Sequence, residues 1–385
     1  MSKRTLKQIM MKKNLLNEIH QFGQSVWLDN LSRDLIDSGE LKSLIEDTGI
    51  RGLTSNPAIF EKAISAGDHY NQDIEKYAQE GLNSRAIFEK LAVDDIQRAA
   101  DLFEPLYEST RGVDGYVSLE VPPDLVHDTE ATVAEGRKLW AMVNRPNVMI
   151  KVPGTPEGLP AITQLIAEGI NINVTLLFSV ERYRAVTEAY LDGLELRLTN
   201  GQPIDRIASV ASFFLSRIDV LVDPVLQDII ETNPERAAKA SYVLGEVALA
   251  NAKKAYQLFE EVFSSSRYQS LADQGASKQR VLWASTGNKN PDYDALKYVT
   301  PLIGPDTVNT MPDSTLQETA QHVKPAETVT TDMTHVEKVW QALPELGIDI
   351  EEVAVQLEKE GAEKFQEPFQ KLLDAIDEQR KVQAS

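Results

Sequence analysis

Residues 147–178 read NVMIKVPGTPEGLPAITQLIAEGININVTLLF. The stretch begins with the apolar run NVMIKV (147 to 152) and ends with the similar run INVTLLF (172 to 178), and short β-branched runs are typical of buried strands. Between them, GTPEG (154 to 158) lacks the ending of a phosphate-binding loop, so we interpret it as the turn that starts a helix. The stretch therefore predicts a strand, a helix and a second strand, the repeating unit of a parallel sheet.

The same alternation extends along the whole chain. Between the apolar runs, spacings of three and four residues, as in Phe88, Ala92, Ile96, Ala99 and Phe103, indicate helices. Eight strands that alternate with helices predict an α/β protein, a closed (β/α)8 TIM barrel. The eight candidate strands are VWL (26 to 28), GLTS (52 to 55), GYVSLEV (115 to 121), NVMIKV (147 to 152), INVTLLF (172 to 178), IASVASFF (207 to 214), VLWAS (281 to 285) and DTVNTM (306 to 311).

The barrel prediction carries boundaries with it. Residues 1–20 are predicted to be a basic N-terminal extension, since they lack the apolar core of a secretory signal. Residues 21–385 are predicted to form a single barrel domain with additional helices. Asn233 and Pro234 indicate the start of a long helical segment that reaches about Ser264. The tail from Ile350 predicts a C-terminal helix, which we expect to pack on the barrel wall rather than take part in catalysis.

Composition excludes several classes of function. The chain has 39 Lys+Arg against 59 Asp+Glu, a formal net charge of −20, which argues against binding to nucleic acids or anionic membranes. It contains no cysteine, so it has no disulfide, thiol nucleophile or cysteine-based metal site. Its five histidines are widely separated, and we predict neither a metal site nor a cofactor. The expected partners are small molecules in the cytoplasm, and the oligomeric state is left open.

Polar side chains lie at or near the ends of the candidate strands. In closed parallel barrels the active site lies at the carboxyl ends of the strands, so these side chains are expected to converge on one mouth. So many polar groups are more than packing needs. They are Asp29, Asn56, Glu120, Lys151, Asn173, Thr175, Ser212 and Ser285.

Lys151 is the sharpest of these candidates. It is preceded by Val148, Met149 and Ile150 and followed by Val152, surroundings that should desolvate its ammonium group and favour the neutral amine. A neutral amine attacks ketones and aldehydes, as Schiff-base catalysis requires. The local sequence equally allows a lysine that reaches solvent or pairs with a carboxylate.

Asn173 and Thr175 are two residues apart on a candidate strand, so both side chains should point into the barrel and hold a hydroxyl and a water. Taken alone, Asn173 is also compatible with a structural amide, and Glu120 with a salt-bridge partner at a strand end.

A phosphate site is indicated after the seventh candidate strand. There the chain continues as Ser285-Thr-Gly-Asn-Lys289, with two hydroxyls, a glycine and a cation. Barrel enzymes often bind phosphate in the loops after strands seven and eight, and Arg217 would add a bidentate donor from strand six. A turn without function has the same sequence pattern.

Several motifs together resemble the transaldolases, in their longer bacterial subgroup. The resemblance extends from about residue 20 to the end of the chain. It is carried by WLDNLSRDL (27 to 35), GLTSNPAIF (52 to 60), YVSLEVPP (116 to 123), VMIKVPGTPEG (148 to 158), INVTLLFS (172 to 179), SFFLSR (212 to 217) and LWASTGNKNPDY (282 to 293).

The resemblance implies a role for each candidate. Lys151 corresponds to the Schiff-base lysine, Asp29 to the acid/base aspartate, and Glu120 with Thr175 to the pair that orders a catalytic water. For the substrate, it implies that Asn56, Asn173 and Ser212 bind the dihydroxyacetone unit and that Arg217 and Ser285 bind phosphate. Short transaldolases carry an arginine after the serine of strand seven, and here Lys289 is expected to take its place, as a point charge rather than a fork.

The implied reaction transfers dihydroxyacetone from sedoheptulose 7-phosphate to glyceraldehyde 3-phosphate, giving erythrose 4-phosphate and fructose 6-phosphate in the pentose phosphate pathway. Two alternatives remain at this stage. One is a lyase of the same architecture, like fructose 6-phosphate aldolase, which releases free dihydroxyacetone. The other is a non-catalytic sugar-phosphate binding protein, which would have no use for a buried amine.

Overall fold

The computed structural model describes residues 14–383, with side chains through Arg380. Residues 1–13 of the predicted extension lie outside this range. The rest of the extension contains a short helix, Leu16–His20, which buries Leu16 and Ile19. The ring of His20 contacts the carbonyl oxygens of Gln24 and Gly49 at 2.9 and 2.8 Å, so this segment is bonded to the start of the barrel.

Eight parallel strands close into a barrel in the order β1 to β8, with β8 paired to β1. The prediction of a (β/α)8 barrel is confirmed, and each strand lies within about two residues of its predicted bounds. The strands are β1 Gln24–Leu28, β2 Gly52–Thr54, β3 Tyr116–Glu120, β4 Val148–Pro153, β5 Ile172–Leu177, β6 Ser209–Phe214, β7 Arg280–Ala284 and β8 Thr307–Met311.

Helices follow the strands and form the outer layer. The intervals 61–112 and 218–278 each hold several helices, as their length predicts. The helices are α1 Leu16–His20, α2 Arg33–Asp37, α3 Glu40–Ser43, α4 Pro57–Ser65, α5 Asn71–Gln79, α6 Ser84–Ser109, α7 Thr129–Val143, α8 Gly158–Glu168, α9 Val180–Thr199, α10 Ser216–Thr232, α11 Pro234–Val243, α12 Val247–Phe263, α13 Ser266–Ala272, α14 Asp313–His322, α15 Met333–Leu346 and α16 Ile350–Gln383. Shorter helical turns occupy Leu44–Thr48, Pro123–Leu125 and Thr300–Leu302.

Local capping explains two helix starts. The Asn233 side chain accepts a hydrogen bond from the Arg236 N–H at 3.3 Å and so caps α11, as predicted. The turn before α8 is also confirmed, because the Gly158 N–H donates to the Thr155 hydroxyl at 3.1 Å. Within the described residues, no helix is both long and apolar enough to cross a bilayer.

The helical segment that starts at Asn233 does not continue unbroken to Ser264. It divides into α11 and α12 at Gly245, whose φ of +75° belongs to the left-handed region that favours glycine. The Gly245 N–H donates to the Asp223 carboxylate at 2.9 Å, so the break is bonded to α10.

Register places the strand-end side chains side by side. Glu120 on β3 is paired with Lys151 on β4, which is in turn paired with Asn173 on β5. The pairing of β5 with β6 shifts between Val174 and Leu177, where Leu176 has a φ of +62°. For a bulky residue this backbone conformation is an outlier, and such outliers often lie near functional sites.

Candidate active site

A cavity of about 230 Å³ opens at the carboxyl ends of the strands. Eight of the ten predicted site residues line it, and Glu120 and Asn173 contact lining residues directly. The lining residues are Asp29, Thr54, Asn56, Lys151, Thr175, Ser212, Phe214, Arg217, Ala284, Ser285, Thr286, Gly287, Lys289, Thr310, Pro312 and Phe365.

Lys151 lies buried at the base of this cavity, with 5% of its surface exposed. Its Nζ donates to the Ser55 carbonyl oxygen at 3.1 Å and to Glu120 Oε2 at 3.2 Å. The pairing with Glu120 gives the ammonium proton a nearby acceptor. An amine that passes its proton to this carboxylate becomes a nucleophile facing the cavity.

Glu120 is itself suited to hold that proton. Burial raises the pKa of its carboxyl above the ordinary value, and the neighbouring Lys151 charge opposes the shift. The negative charge of Asp29 raises the pKa of Glu120 further. Two carboxyls with raised pKa values, those of Asp29 and Glu120, therefore lie close to the Lys151 amine.

Asp29 follows β1 and is held by a short chain of hydroxyl groups. Thr54 donates to Asp29 Oδ1 at 2.7 Å, and the Thr310 hydroxyl lies 2.7 Å from that of Thr54. Because the Thr54 proton is directed at Asp29, Thr310 is the donor in the second bond. Burial raises the pKa of Asp29, while the Thr54 hydrogen bond and the charges of Lys151 and Arg217 oppose the rise. The result is a fixed carboxylate whose proton affinity exceeds that of an ordinary aspartate.

The inward direction predicted for Asn173 and Thr175 is confirmed. Asn173 donates to the Ser118 hydroxyl at 3.0 Å and accepts from the Ser212 hydroxyl at 2.6 Å, so its amide orientation is fixed. Thr175 lines the cavity, and its hydroxyl oxygen is buried without a hydrogen-bond partner within residues 14–383. An unpaired buried hydroxyl is costly unless a ligand or water completes it.

Asn56 caps a helix at the edge of the cavity. Its side-chain oxygen accepts from the Ile59 N–H at 3.0 Å and caps α4, with Pro57 in the first turn. The cap fixes the side chain at the edge of the cavity, and its amide nitrogen remains available to a ligand.

The loop after β7 meets the start of α10. Ser285 has a φ of +55°, its hydroxyl lies 2.8 Å from that of Ser216, and its carbonyl accepts from the Ser216 N–H at 3.1 Å. Arg217 lies in the first turn of α10, directly after strand six rather than on it. Hydroxyls, a helix N-terminus and an arginine in this arrangement favour an anion.

Two cationic side chains, those of Arg217 and Lys289, line the cavity near this loop. Burial lowers the pKa of Arg217, opposed by the charges of Glu120 and Asp29, and Arg217 Nη1 finds no hydrogen-bond partner in the described part of the chain. Lys289 lines the cavity from the loop. Partial burial lowers its pKa, and the charges of Arg217 and Lys364 lower it further.

The expectation that the C-terminal helix stays on the barrel wall is wrong for part of its length. Helix α16 does pack on α4, α5 and α6, but it also contacts β5, and Phe365 lines the cavity. The sequence of this helix has an apolar stripe, which indicates that one face is buried but not against which surface. The stripe comprises Val353, Leu357, Gly361, Phe365, Phe369, Leu372 and Ile376. Thr54 and Phe214 were missed as well, although both lie at strand ends where lining residues are expected.

Comparison with known proteins relates this geometry to a family. Residues 26–376 match the family described as transaldolase/fructose-6-phosphate aldolase. The chain is 49% identical over 372 residues to the transaldolase of Trichodesmium erythraeum, covering 96% of this chain and 98% of that one. It is 48% identical to transaldolase 2 of Nostoc punctiforme, covering 97% and 99% of the two chains. The transaldolase of Saccharopolyspora erythraea is 47% identical, covering 94% and 97%.

Proposed function

The chain belongs to the transaldolase/fructose-6-phosphate aldolase family, and on this premise we propose that it is a transaldolase of the pentose phosphate pathway. It transfers dihydroxyacetone from sedoheptulose 7-phosphate to glyceraldehyde 3-phosphate, giving erythrose 4-phosphate and fructose 6-phosphate. The observation that carries the proposal is the Lys151 amine, paired with Glu120 at 3.2 Å and facing a cavity that also holds Asp29.

In the first step the Lys151 ammonium gives a proton to Glu120, and the neutral amine attacks the C2 carbonyl of the ketose phosphate. The carbinolamine that forms loses water and becomes an iminium ion. Glu120 and the unpaired Thr175 hydroxyl order the water molecule that carries protons in this step and in the reverse hydrolysis. The raised pKa of Glu120 supports this role, because it makes the carboxyl a better proton acceptor.

In the second step Asp29 removes the proton from the C4 hydroxyl. The bond between C3 and C4 breaks, its electron pair moves into the iminium to form an enamine, and the aldose phosphate leaves. The acceptor aldehyde then adds by the reverse sequence, and Asp29 returns the proton. A carboxylate with a raised pKa is better matched to this work near neutral pH than an ordinary one.

The remaining candidates bind substrate. Asn56 and Ser212 face the cavity, and Asn173 fixes Ser212 through the 2.6 Å hydrogen bond. In the proposal these three hold the hydroxyls of the dihydroxyacetone unit. Ser285 and the two cations hold the phosphate group: Arg217 as a bidentate donor and Lys289 as a point charge.

We also propose a cytoplasmic location. Charged sugar phosphates do not cross membranes, so the enzyme must act in the compartment that holds them.

The test is a comparison of donor consumption with and without an acceptor. With fructose 6-phosphate and erythrose 4-phosphate, we expect sedoheptulose 7-phosphate and glyceraldehyde 3-phosphate to appear in equal amounts. With fructose 6-phosphate alone, we expect one enamine per active site and little free dihydroxyacetone. Fast release of dihydroxyacetone without acceptor would indicate a lyase instead. Absence of turnover in both assays would indicate a binding protein.

A further inference from the structure

The guanidinium group of Arg217 lies between two aromatic rings. Its Cζ is 5.2 Å from the ring centroid of Phe214, at the end of β6, and 5.7 Å from that of Phe365, on α16. Both rings line the cavity. An arginine within about 6 Å of an aromatic ring is attracted by the electron-rich ring face, and the attraction grows when water is excluded.

The C-terminal helix reaches this position because it carries glycine at its closest approach. A Cβ atom at Gly361 would lie 2.8 Å from Leu176 Cδ2 and 3.6 Å from Arg217 Nη1. Leu176 is the residue with the left-handed backbone at the β5 irregularity. The helix therefore passes directly over the end of β5, and one turn later Phe365 faces Arg217.

Other contacts dock the helix without Phe365. Glu358 pairs with Arg182 of α9 at 3.5 Å. Phe369 packs edge-on against Phe88 with ring centroids 5.7 Å apart. Since these contacts lie on both sides of Phe365, the helix should remain in place when that side chain is changed.

The two rings can stabilise the Arg217 guanidinium group without occupying its N–H donors, as an ion pair would. A partly buried guanidinium needs stabilisation, but a carboxylate partner would use its N–H donors and neutralise its charge. Aromatic faces stabilise the cation while leaving the N–H edge free. Arg217 Nη1 is itself buried beside Gly361 and has no hydrogen-bond partner in residues 14–383, so the N–H groups that a ligand in the cavity can reach are those on Nη2 and Nε.

We propose that Phe365 is a positioning residue for Arg217: it holds the guanidinium group against Phe214 so that the accessible N–H groups, on Nη2 and Nε, face the phosphate group of the substrate. The C-terminal helix is then a specificity element of the active site. This inference rests on the proposed function, since it assigns a supporting residue to the same phosphate site.

The test compares Phe365→Leu with Phe365→Tyr and with Phe369→Leu. Leucine keeps an apolar side chain but removes the ring, so we expect the KM for glyceraldehyde 3-phosphate to rise about 2- to 30-fold. The kcat and the KM for unphosphorylated glyceraldehyde should stay within about twofold of wild type, and Phe365→Tyr should restore the KM. Phe369→Leu is the matched control, because Phe369 also lies under an arginine, Arg85 at 5.8 Å, but does not line the cavity.

A direct binding measurement separates this inference from the proposed function. Inorganic phosphate should bind the wild type and Phe369→Leu equally, and Phe365→Leu more weakly, in titration calorimetry without any turnover. If the wild type fails to transfer dihydroxyacetone but this order holds, only the proposed function is overturned. If transfer is normal but Phe365→Leu matches the wild type, or both KM values rise equally, the positioning role is overturned.

Discussion

Arg217 and Arg280 lie at opposite ends of the barrel, and their surroundings differ. Arg280, at the first residue of β7, donates to Asp114 Oδ1 at 3.1 Å, to the Ser25 hydroxyl at 2.6 Å and to the Thr307 carbonyl at 2.7 Å. Arg217, at the mouth, lies between two rings and lines the cavity. Hydrogen bonds fix Arg280 to its neighbours in the barrel, whereas aromatic rings hold Arg217 beside the cavity.

The aspartates at the two ends show the same contrast. Asp114 accepts from Ser25 at 2.6 Å and pairs with Arg51 at 3.0 Å and Arg280 at 3.1 Å. Asp29 accepts from Thr54, and burial raises its pKa. The Asp114 carboxylate at the amino ends of the strands therefore contributes to stability by pairing with two arginines. The Asp29 carboxylate at the carboxyl ends is kept in a less favourable state that substrate and reaction can use.

The largest effect should come from Asp29→Asn at the mouth. The amide keeps the size of the side chain but cannot take the C4 proton, so kcat should fall by about 10²- to 10⁴-fold. Steady-state assays of transfer measure this effect. Asp114→Asn is the matched substitution at the other end of the barrel, and its turnover should be near wild type at a temperature where the variant is folded. An unchanged kcat in Asp29→Asn would remove the proposed role.

The role of Asp29 can also be tested in the wild type, by measuring how the rate of transfer depends on pH. Asp29 must be ionised to accept a proton, and below its pKa it is not. Because that pKa is raised, activity should be lost at a higher pH, as the solution is acidified, than an ordinary aspartate would allow. Glu120, also with a raised pKa, moves the acid limb in the same direction.

The next effect is on stability. It should appear for a substitution at the amino ends of the strands and not for one at the carboxyl ends. Asp114→Asn leaves Arg51 and Arg280 without their carboxylate, and breaking a buried pair typically costs about 3 kcal/mol or more. Chemical denaturation should show this loss in the free energy of unfolding. Asp29→Asn should not lower the free energy of unfolding, because it removes a desolvated charge. Any increase in that free energy should disappear as pH falls through the raised pKa of Asp29, since the wild-type carboxyl is then neutral as well. Equal losses in both variants would end the contrast between the two ends.

A smaller effect is expected at the phosphate loop. Arg217→Ala removes a charge-assisted contact, so the KM for phosphorylated substrates should rise about 10- to 150-fold, with much less change for unphosphorylated acceptors. Lys289→Ala should have a smaller effect, since an ammonium group binds phosphate as a point charge rather than as a bidentate fork. If Lys289→Ala leaves phosphate binding unchanged, that lysine does not replace the arginine of the short transaldolases.

Much of the fold follows from local sequence. Each strand has its own β-branched run, and the order of parallel strands in a closed barrel follows from the order along the chain. Strand-end residues such as Asp29 and Lys151 were predicted for the same reason, since a strand's end fixes which rim its side chains occupy.

Other features depend on contacts between distant segments. The stripe that contains Phe365 has the same sequence pattern whether its helix lies on the wall or over the mouth. The position of the break at Gly245 is not predicted, because a glycine inside a helical pattern is tolerated at a modest cost and does not by itself mark the end of a helix. The two rings beside Arg217 belong to Phe214 and Phe365, which are about 150 positions apart in the sequence. Only the docking of the C-terminal helix brings them together.

The claim that the mouth of the barrel forms a covalent intermediate is tested most directly by borohydride reduction in the presence of fructose 6-phosphate, followed by peptide mass mapping. We expect one reduced three-carbon unit on Lys151 in the wild type, no label in Lys151→Ala, and a folded barrel in both. A label on another lysine, such as the buried Lys253 of α12, or no label in an active wild-type enzyme, would contradict the claim.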